Sequence, residues 1–197
     1  MAQRLGFHFL NTGAMYRAVA LAGMREGVDW DRPEELVAVA RRVEIRPDGE
    51  RTLLDGEDVT EAVRTKEVTA HTKYAADNPE IRTLMVELQR AAAAGRDIVT
   101  EGRDQGTVVF PGAQRKFFLT ASEETRAQRR VLDHHRAGET ASLEEIIAQQ
   151  RRRDEEDSQR EVGPLVPAED AIKVPTDDLT EEQVVELLCE LVAKADR

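Results

Sequence analysis

The sequence predicts an α/β fold built on a parallel sheet, and three observations carry that expectation. Short apolar runs bounded by turn residues, FHFL at 7–10, IVT at 98–100, KFFLTA at 116–121 and DAIKV at 170–174, read as strands, the middle two as buried parallel ones. The segments between them have the 3.6-residue apolar period of amphipathic helices, so strands and helices alternate as a doubly wound sheet requires. In such sheets small ligands bind beyond the carboxyl ends of the strands. That is where EGRDQG at 101–106 sets Arg103 beside Asp104, a pairing suited to a small anionic substrate.

Taken in order, the first six residues read as the tail of a helix, and NTGAMYRAVALAGMREG after FHFL is a turn entering an amphipathic helix. Residues 34–43 are helical in pattern. VEIRPDGERTLLDGEDV then alternates apolar and polar positions around Pro47, Asp48 and Gly49, as a β-hairpin does. From Thr65 to Ala94 the period is helical again. Pro79 opens a second helix there, with Asn78 as its N-cap and Ile81, Leu84, Met85, Leu88 and Ala92 as its apolar stripe, and Gly95 ends it. Residues 122–161 are so charged, with Leu143, Ile146 and Ile147 as the obvious apolar face, that they read as a solvated excursion rather than core. Thr180 with Gln183 has the spacing of a capping box opening a C-terminal helix.

Composition narrows the function. A chain of 197 residues fits one domain with small insertions. A net charge of −11 disfavours a nucleic-acid polymer as partner, because that affinity comes from a basic surface neutralising many phosphates. Among the 28 basic residues only Lys66, Lys73, Lys116, Lys173 and Lys194 are lysines. Arginine's planar fork suits bidentate phosphate contacts, although a compositional bias gives the same excess. VVELLCELVA at 184–193 is too short and too acidic to span a membrane, and the start lacks a secretory pattern. The single cysteine, Cys189, fits packing in a reducing cytoplasm. The four histidines show no metal-ligand spacing, so no metal site is expected.

Four segments could bear a phosphorylated ligand. Thr12 and Gly13 let backbone approach it, and Arg17 lies about one turn further on, able to reach back or merely to face solvent. Arg82 is one position off its helix's apolar stripe and Gln89 returns to the same azimuth, which also describes a plain polar face. Arg153, Asp157 and Arg160 share one helix face, either to hold sugar hydroxyls and phosphate or as a self-paired surface. Arg126, Arg129 and Arg130 could clamp a transferring phosphoryl group or keep a helix soluble.

The order NTGAMYRAVAL, LLDGEDVTEAVRT, NPEIR, TEGRDQGTVVFP and RRRDEEDSQREVGPL resembles bacterial cytidylate kinase over nearly the whole chain. The resemblance implies a nucleoside monophosphate kinase fold of the P-loop type, with an insertion covering the monophosphate at about 34–78 and a lid at about 122–162. It implies phosphoryl transfer from ATP, with Mg²⁺, to CMP or dCMP, by a cytoplasmic monomer. Under it Arg17, Arg103 and Arg160 would bind the acceptor phosphate, and Thr12, Asp157 and Arg153 the ribose side. Arg82, Asp104 and Thr72 would read the base, and Arg129 would close on the donor phosphates. Arg103, Arg129 and Arg160 are thus the expected catalytic residues. A carboxylate facing the 4-amino group of cytosine would leave uracil's O4 unpaired.

The chain departs from the family pattern at three places. Asn11 stands where Asp is usual, and Pro175 where an Asp near the donor's adenine is usual. No stretch matches G-x-x-x-x-G-K-[ST], the loop that cradles donor phosphates and binds Mg²⁺, so no donor-binding residues are assigned. The family carries that loop on a first, central strand between the strands read here as IVTEG and FFLTA, so the sequence reads as an N-terminally truncated kinase. Each buried unpaired backbone group costs on the order of 1–3 kcal/mol against a domain stability of ~5–15 kcal/mol, so a chain without that strand is expected to fold poorly. The alternative is a relative that binds CMP or a protein partner without catalysis.

Overall fold

In the computed structural model, which describes residues 1–136, 138, 140–159 and 163–194, the chain gathers into two compact units that divide between Phe110 and Pro111. The segment 34–78 lies within the unit of Ala2–Phe110, and the segment 122–162 belongs to the unit that begins at Pro111.

The unit of Ala2–Phe110 runs α1 (Ala2–Leu5), β1 (His8–Asn11), α2 (Thr12–Glu26), α3 (Pro33–Arg42), β2 (Ile45–Asp48), β3 (Arg51–Leu54) and β4 (Glu57–Asp58). A 3₁₀ turn at Ala62–Arg64 follows, then α4 (Lys66–Ala76), α5 (Pro79–Ala93), β5 (Ile98–Glu101) and a π-helical turn at Gln105–Val109. β1 pairs in parallel with β5, from His8 opposite Ile98 to Asn11 opposite Glu101. β2, β3 and β4 form an antiparallel sheet.

Helix α2 is the axis of this unit's core. Met15, Ala18, Val19 and Ala20 are fully buried on it, and they pack in one cluster with Leu36 and Val37 of α3, Ile45 and Leu54 of the antiparallel sheet, Val68 of α4, and Ile81 and Met85 of α5. Its alanines let neighbours approach on all sides, and Gly27, at φ +67°, ends it in the left-handed conformation that glycine adopts without strain. Asn78 caps α5 as its sequence position predicts, its Oδ1 accepting from the backbone N–H of Glu80 (3.0 Å) and Ile81 (3.1 Å).

The second unit holds β6 (Phe117–Thr120), α6 (Glu123–Arg136), α7 (Leu143–Ser158), β7 (Ile172–Pro175) and α8 (Glu181–Ala193). β6 and β7 pair in parallel, Phe117 opposite Ile172 through Thr120 opposite Pro175. Thr180 and Gln183 form the expected capping box, and Ser142 with Glu145 forms another at the start of α7. The charged stretch is a pair of helices packed on each other, bridged by Arg126 to Asp154 (2.6 Å) and Arg151 to Glu123 (2.6 Å). The Arg151 hydrogen bond is the main cause holding the Glu123 carboxyl below its ordinary value of 4.5.

Three expectations are corrected. The first strand begins at His8, because Gly6 is left-handed at φ +70° and the Phe7 N–H turns back to the Ala2 carbonyl (3.0 Å). The hairpin at 43–59 gains a third strand: Asp55 (φ +51°) and Gly56 (φ +82°) make a turn with two left-handed residues, the geometry that reverses a strand in two residues. IVT and KFFLTA are not deeply buried: β5 is half-buried to exposed, and Leu119 of β6 is 50% exposed. Among the described residues the parallel strands make two separate two-stranded sheets, and a strand hydrogen-bonded on one edge is covered less than an interior one.

Two consequences can be measured. A Cβ on Gly23 would lie 2.6 Å from Leu36 Cδ1, 3.2 Å from Trp30 Cη2 and 3.3 Å from Val28 Cγ2. Overpacking there outweighs the gain of about 1 kcal/mol from alanine's helix propensity, so Gly23→Ala is expected to lower the urea midpoint by roughly 1 kcal/mol of stability; an unchanged or raised midpoint contradicts the packing. The depressed folded-state value of Glu123 gives a contribution that is full above pH 4.5 and lost as pH falls below it. Hydrogen-exchange protection in α7, taken relative to the intrinsic exchange rate at each pH, should therefore fall on acidification more in the wild type than in Glu123→Gln, and an equal fall contradicts the assignment.

Candidate functional site

The in-register end of β1 and β5 brings two loops together. Thr12, 4% exposed at the first turn of α2, donates from Oγ1 to the Glu101 carbonyl (2.7 Å), tying the end of one strand to the start of the helix that follows the other. Asn11 caps α2, its Oδ1 accepting from the Ala14 N–H (3.0 Å). An asparagine does this as well as the aspartate of the family pattern. The Arg17 guanidinium folds back over the helix start: a Cβ on Gly13 would lie 3.4 Å from Nη1 and 3.8 Å from Nη2. A helix N-terminus and a guanidinium thus face the same point, an arrangement suited to an anion.

Beside it lies a buried ion pair. Arg82 of α5 is 5% exposed and Asp104, in the loop after β5, is 6% exposed. Arg82 Nη2 donates to Asp104 Oδ2, and its Nη1 donates to the Ala76 carbonyl at the end of α4 (2.9 Å). The guanidinium carbon stands 5.8 Å from the centre of the Tyr16 ring on α2. Gln105 continues the network: Nε2 donates to Gln89 Oε1 (3.1 Å) and to Asp104 Oδ1 (3.5 Å), and Oε1 accepts from Thr100 Oγ1 (3.0 Å). Arg82 Nε and Gln89 Nε2 are buried donors with no hydrogen-bond partner among the described residues. Such donors are costly in a folded interior and recur where a polar ligand or water is taken up.

The loop carrying Asp104 is itself fixed. The Asp104 carbonyl accepts from the Val108 N–H (2.9 Å), and the Phe110 N–H closes a five-residue turn on the Gln105 carbonyl (2.7 Å). Arg90, two turns beyond Arg82 on α5, donates to the carbonyls of Val109 (2.8 Å) and Val108 (2.9 Å). π-helical turns of this kind occur often at functional sites.

Of the expected site residues, the unit of Ala2–Phe110 brings Thr12 and Arg17 to one helix start and Arg82 and Asp104 into one pair, with Arg103 half-buried next in the loop. Thr72 is half-buried on α4 and donates to the Val68 carbonyl of its own helix (2.8 Å). In the second unit Asp157 is 2% exposed, and the exposed Arg153 stands 3.9 Å from it on the same face of α7. Arg129 reaches the loop between β7 and α8, donating to Thr176 Oγ1 (3.0 Å), the Thr176 carbonyl and the Leu179 carbonyl (3.2 Å). Arg160 lies outside the described residues. Among the described residues no three histidine, cysteine or acidic side chains gather as a metal site would need.

Sequence reasoning missed Gln105, Thr100, Tyr16 and Arg90. The spacing of Arg82 and Gln89 was the available signal, since Gln89 is itself a member of the polar layer under the loop.

An α/β protein whose parallel strands end on a helix start, an arginine and a buried guanidinium–carboxylate pair belongs to the class with a small-ligand site at the end of the sheet. Residues 1–194 match the cytidylate kinase family, and the chain belongs to it. The chain is 50% identical over 192 residues to a cytidylate kinase of Rhodopirellula baltica, covering 98% of this chain and 84% of that protein. It is 45% identical over 194 residues to one from Caldanaerobacter subterraneus subsp. tengcongensis, covering 98% and 87%. A third, from Mycobacterium avium, is 46% identical over 200 residues, covering 98% and 86%.

The burial of Arg82 with Asp104 sets a stability signature. Removing one partner strands a buried charge, at about 3–5 kcal/mol, whereas replacing both by apolar groups costs far less. Asp104→Leu alone is expected to destabilise more than Arg82→Met with Asp104→Leu together in urea unfolding; equal or reversed costs contradict a mutually dependent pair.

Proposed function

We propose that the chain binds CMP or dCMP as phosphoryl acceptor and serves the transfer of the terminal phosphoryl group of ATP to it, giving the diphosphate and ADP. The reading rests on family membership and on one geometric observation, the buried Arg82–Asp104 pair beside the Arg17-covered start of α2. Cytosine offers O2 and N3 as acceptors and its 4-amino group as donor. Arg82 supplies the donors and Asp104 the acceptor, a polarity that uracil's O4 does not match.

The remaining roles follow in the same reading. Arg17 and Arg103, with Arg160, hold the acceptor phosphate; Thr12, Asp157 and Arg153 hold the ribose side; and Thr72 stands near the base. The acceptor is already an anionic oxygen, so no protein nucleophile is needed, and the work of the chain is positioning and charge neutralisation by Arg103, Arg129 and Arg160. Arg129 would exchange its carbonyl partners at Thr176 and Leu179 for donor phosphates as the segment 122–162 closes. The reading takes the protein as a cytoplasmic monomer.

Magnesium, when bound, neutralises charge on the transferring group. The residues present do not compose its site: G-x-x-x-x-G-K-[ST] does not occur in these 197 residues, and no acidic cluster gathers among the described ones. The same observation favours a second reading, a family member that binds CMP without turning it over.

Calorimetric titration of the 197-residue chain is expected to show CMP bound more tightly than UMP. Asp104→Asn, which keeps the side chain's size but turns an amino group toward the base, should erode the ratio by about tenfold. Equal affinities in the wild type, or undiminished selectivity in Asp104→Asn, contradict the base assignment. Incubation of the same polypeptide with ATP, Mg²⁺ and CMP separates the two readings: CDP formation supports phosphoryl transfer, and CMP binding without CDP supports the second.

A further inference from the structure

We infer that Gln105 is a positioning residue for nucleobase selection, holding the Asp104 carboxylate in the orientation from which it can tell cytosine from uracil; the inference rests on the CMP reading above. Asp104 has a partner at each oxygen, Arg82 at Oδ2 and, at a longer 3.5 Å, Gln105 Nε2 at Oδ1. Arg82 is anchored in turn by the Ala76 carbonyl, so one side of the carboxylate is fixed by α5 and the end of α4. The other side depends on Gln105 alone among the described contacts.

The orientation of the Gln105 amide follows from its neighbours. Its Nε2 faces two acceptors, Gln89 Oε1 and Asp104 Oδ1, and its Oε1 faces the Thr100 hydroxyl, so a flipped amide would set oxygen against oxygen. Thr100 Oγ1 also approaches the Leu10 carbonyl of β1 (3.2 Å), so the amide is referenced to the parallel strand pair itself. Space for it is made by Gly102: a Cβ there would lie 2.8 Å from Gln105 Cγ and 3.0 Å from its Nε2. A carboxylate that rotates can present either oxygen, or none, to a base edge; one held at both oxygens presents a fixed acceptor.

The test measures CMP and UMP affinities by calorimetry on the 197-residue chain and its variants. Gln105→Leu keeps the bulk and removes the amide, and is expected to reduce the CMP-over-UMP ratio about three- to tenfold, the net worth of one ordinary hydrogen bond. In an Asp104→Asn background the same substitution should change the ratio no further, because Gln105 acts through Asp104. Gly102→Ala, which pushes the Gln105 side chain from its place by a different route, should lower the ratio in the same direction, and it decides the matter alone if Gln105→Leu does not unfold cooperatively. Unchanged selectivity, an equal loss of CMP and UMP affinity, or an undiminished effect in the Asp104→Asn background overturns the inference while leaving the CMP reading intact. A wild-type chain that does not discriminate CMP from UMP overturns both.

Discussion

A guanidinium and a carboxylate taken out of water must find each other, and Arg82 and Asp104 organise the polar interior of their unit by doing so. Each ion would be prohibitive there alone, since the effective penalty is several kcal/mol per buried ion. The pair therefore settles the rotation of α5 about its axis and the path of the chain after β5. Arg90 repeats the logic two turns on by holding the Val108 and Val109 carbonyls, so one helix latches the loop at two points. The apolar stripe of the same helix, through Ile81 and Met85, anchors it to the α2-centred core. Packing and polar pairing thus set the same helix in the same place.

Around that pair the end of the parallel strands acquires two different chemistries. The start of α2, with Thr12 and Gly13 and the overlying Arg17, offers backbone donors and a fixed positive charge, as suits a phosphate. The Arg82–Asp104–Gln105 layer offers directional donors and acceptors, as suits a base edge. A mononucleotide needs both. In the second unit the arginines are engaged differently: Arg126 and Arg151 bind α6 to α7, and Arg129 spans to the loop after β7. These are exposed or half-exposed contacts, each worth little in water, and such contacts can be exchanged for stronger anionic partners at small cost.

Much of this was legible in the sequence for identifiable reasons. Helices with strong caps announce themselves: Asn78 before Pro79, and Thr180 with Gln183, are local hydrogen-bonding patterns that do not depend on the rest of the chain. The Arg103–Asp104 dipeptide after an apolar run is equally local. The third strand of the hairpin was hidden because Glu57 and Asp58 have no apolar face, and only the turn at Asp55 and Gly56 marks it. The polar layer was hidden because a buried glutamine at the azimuth of a buried arginine has the same spacing as an exposed polar face.

The alternation of strand and helix, the caps and the family are all written in residues close together or in motifs kept in order, so the amino-acid order alone carries them. Tertiary structure decided which polar groups are interior, because burial is a property of what the fold lays over a residue and not of the residue. It made Arg82, Asp104 and Gln89 interior and left Leu119 of a strand half exposed. Among the described residues it also decided that the parallel strands pair as two twos, because hydrogen bonds between strands join residues dozens of positions apart, where no local pattern reaches.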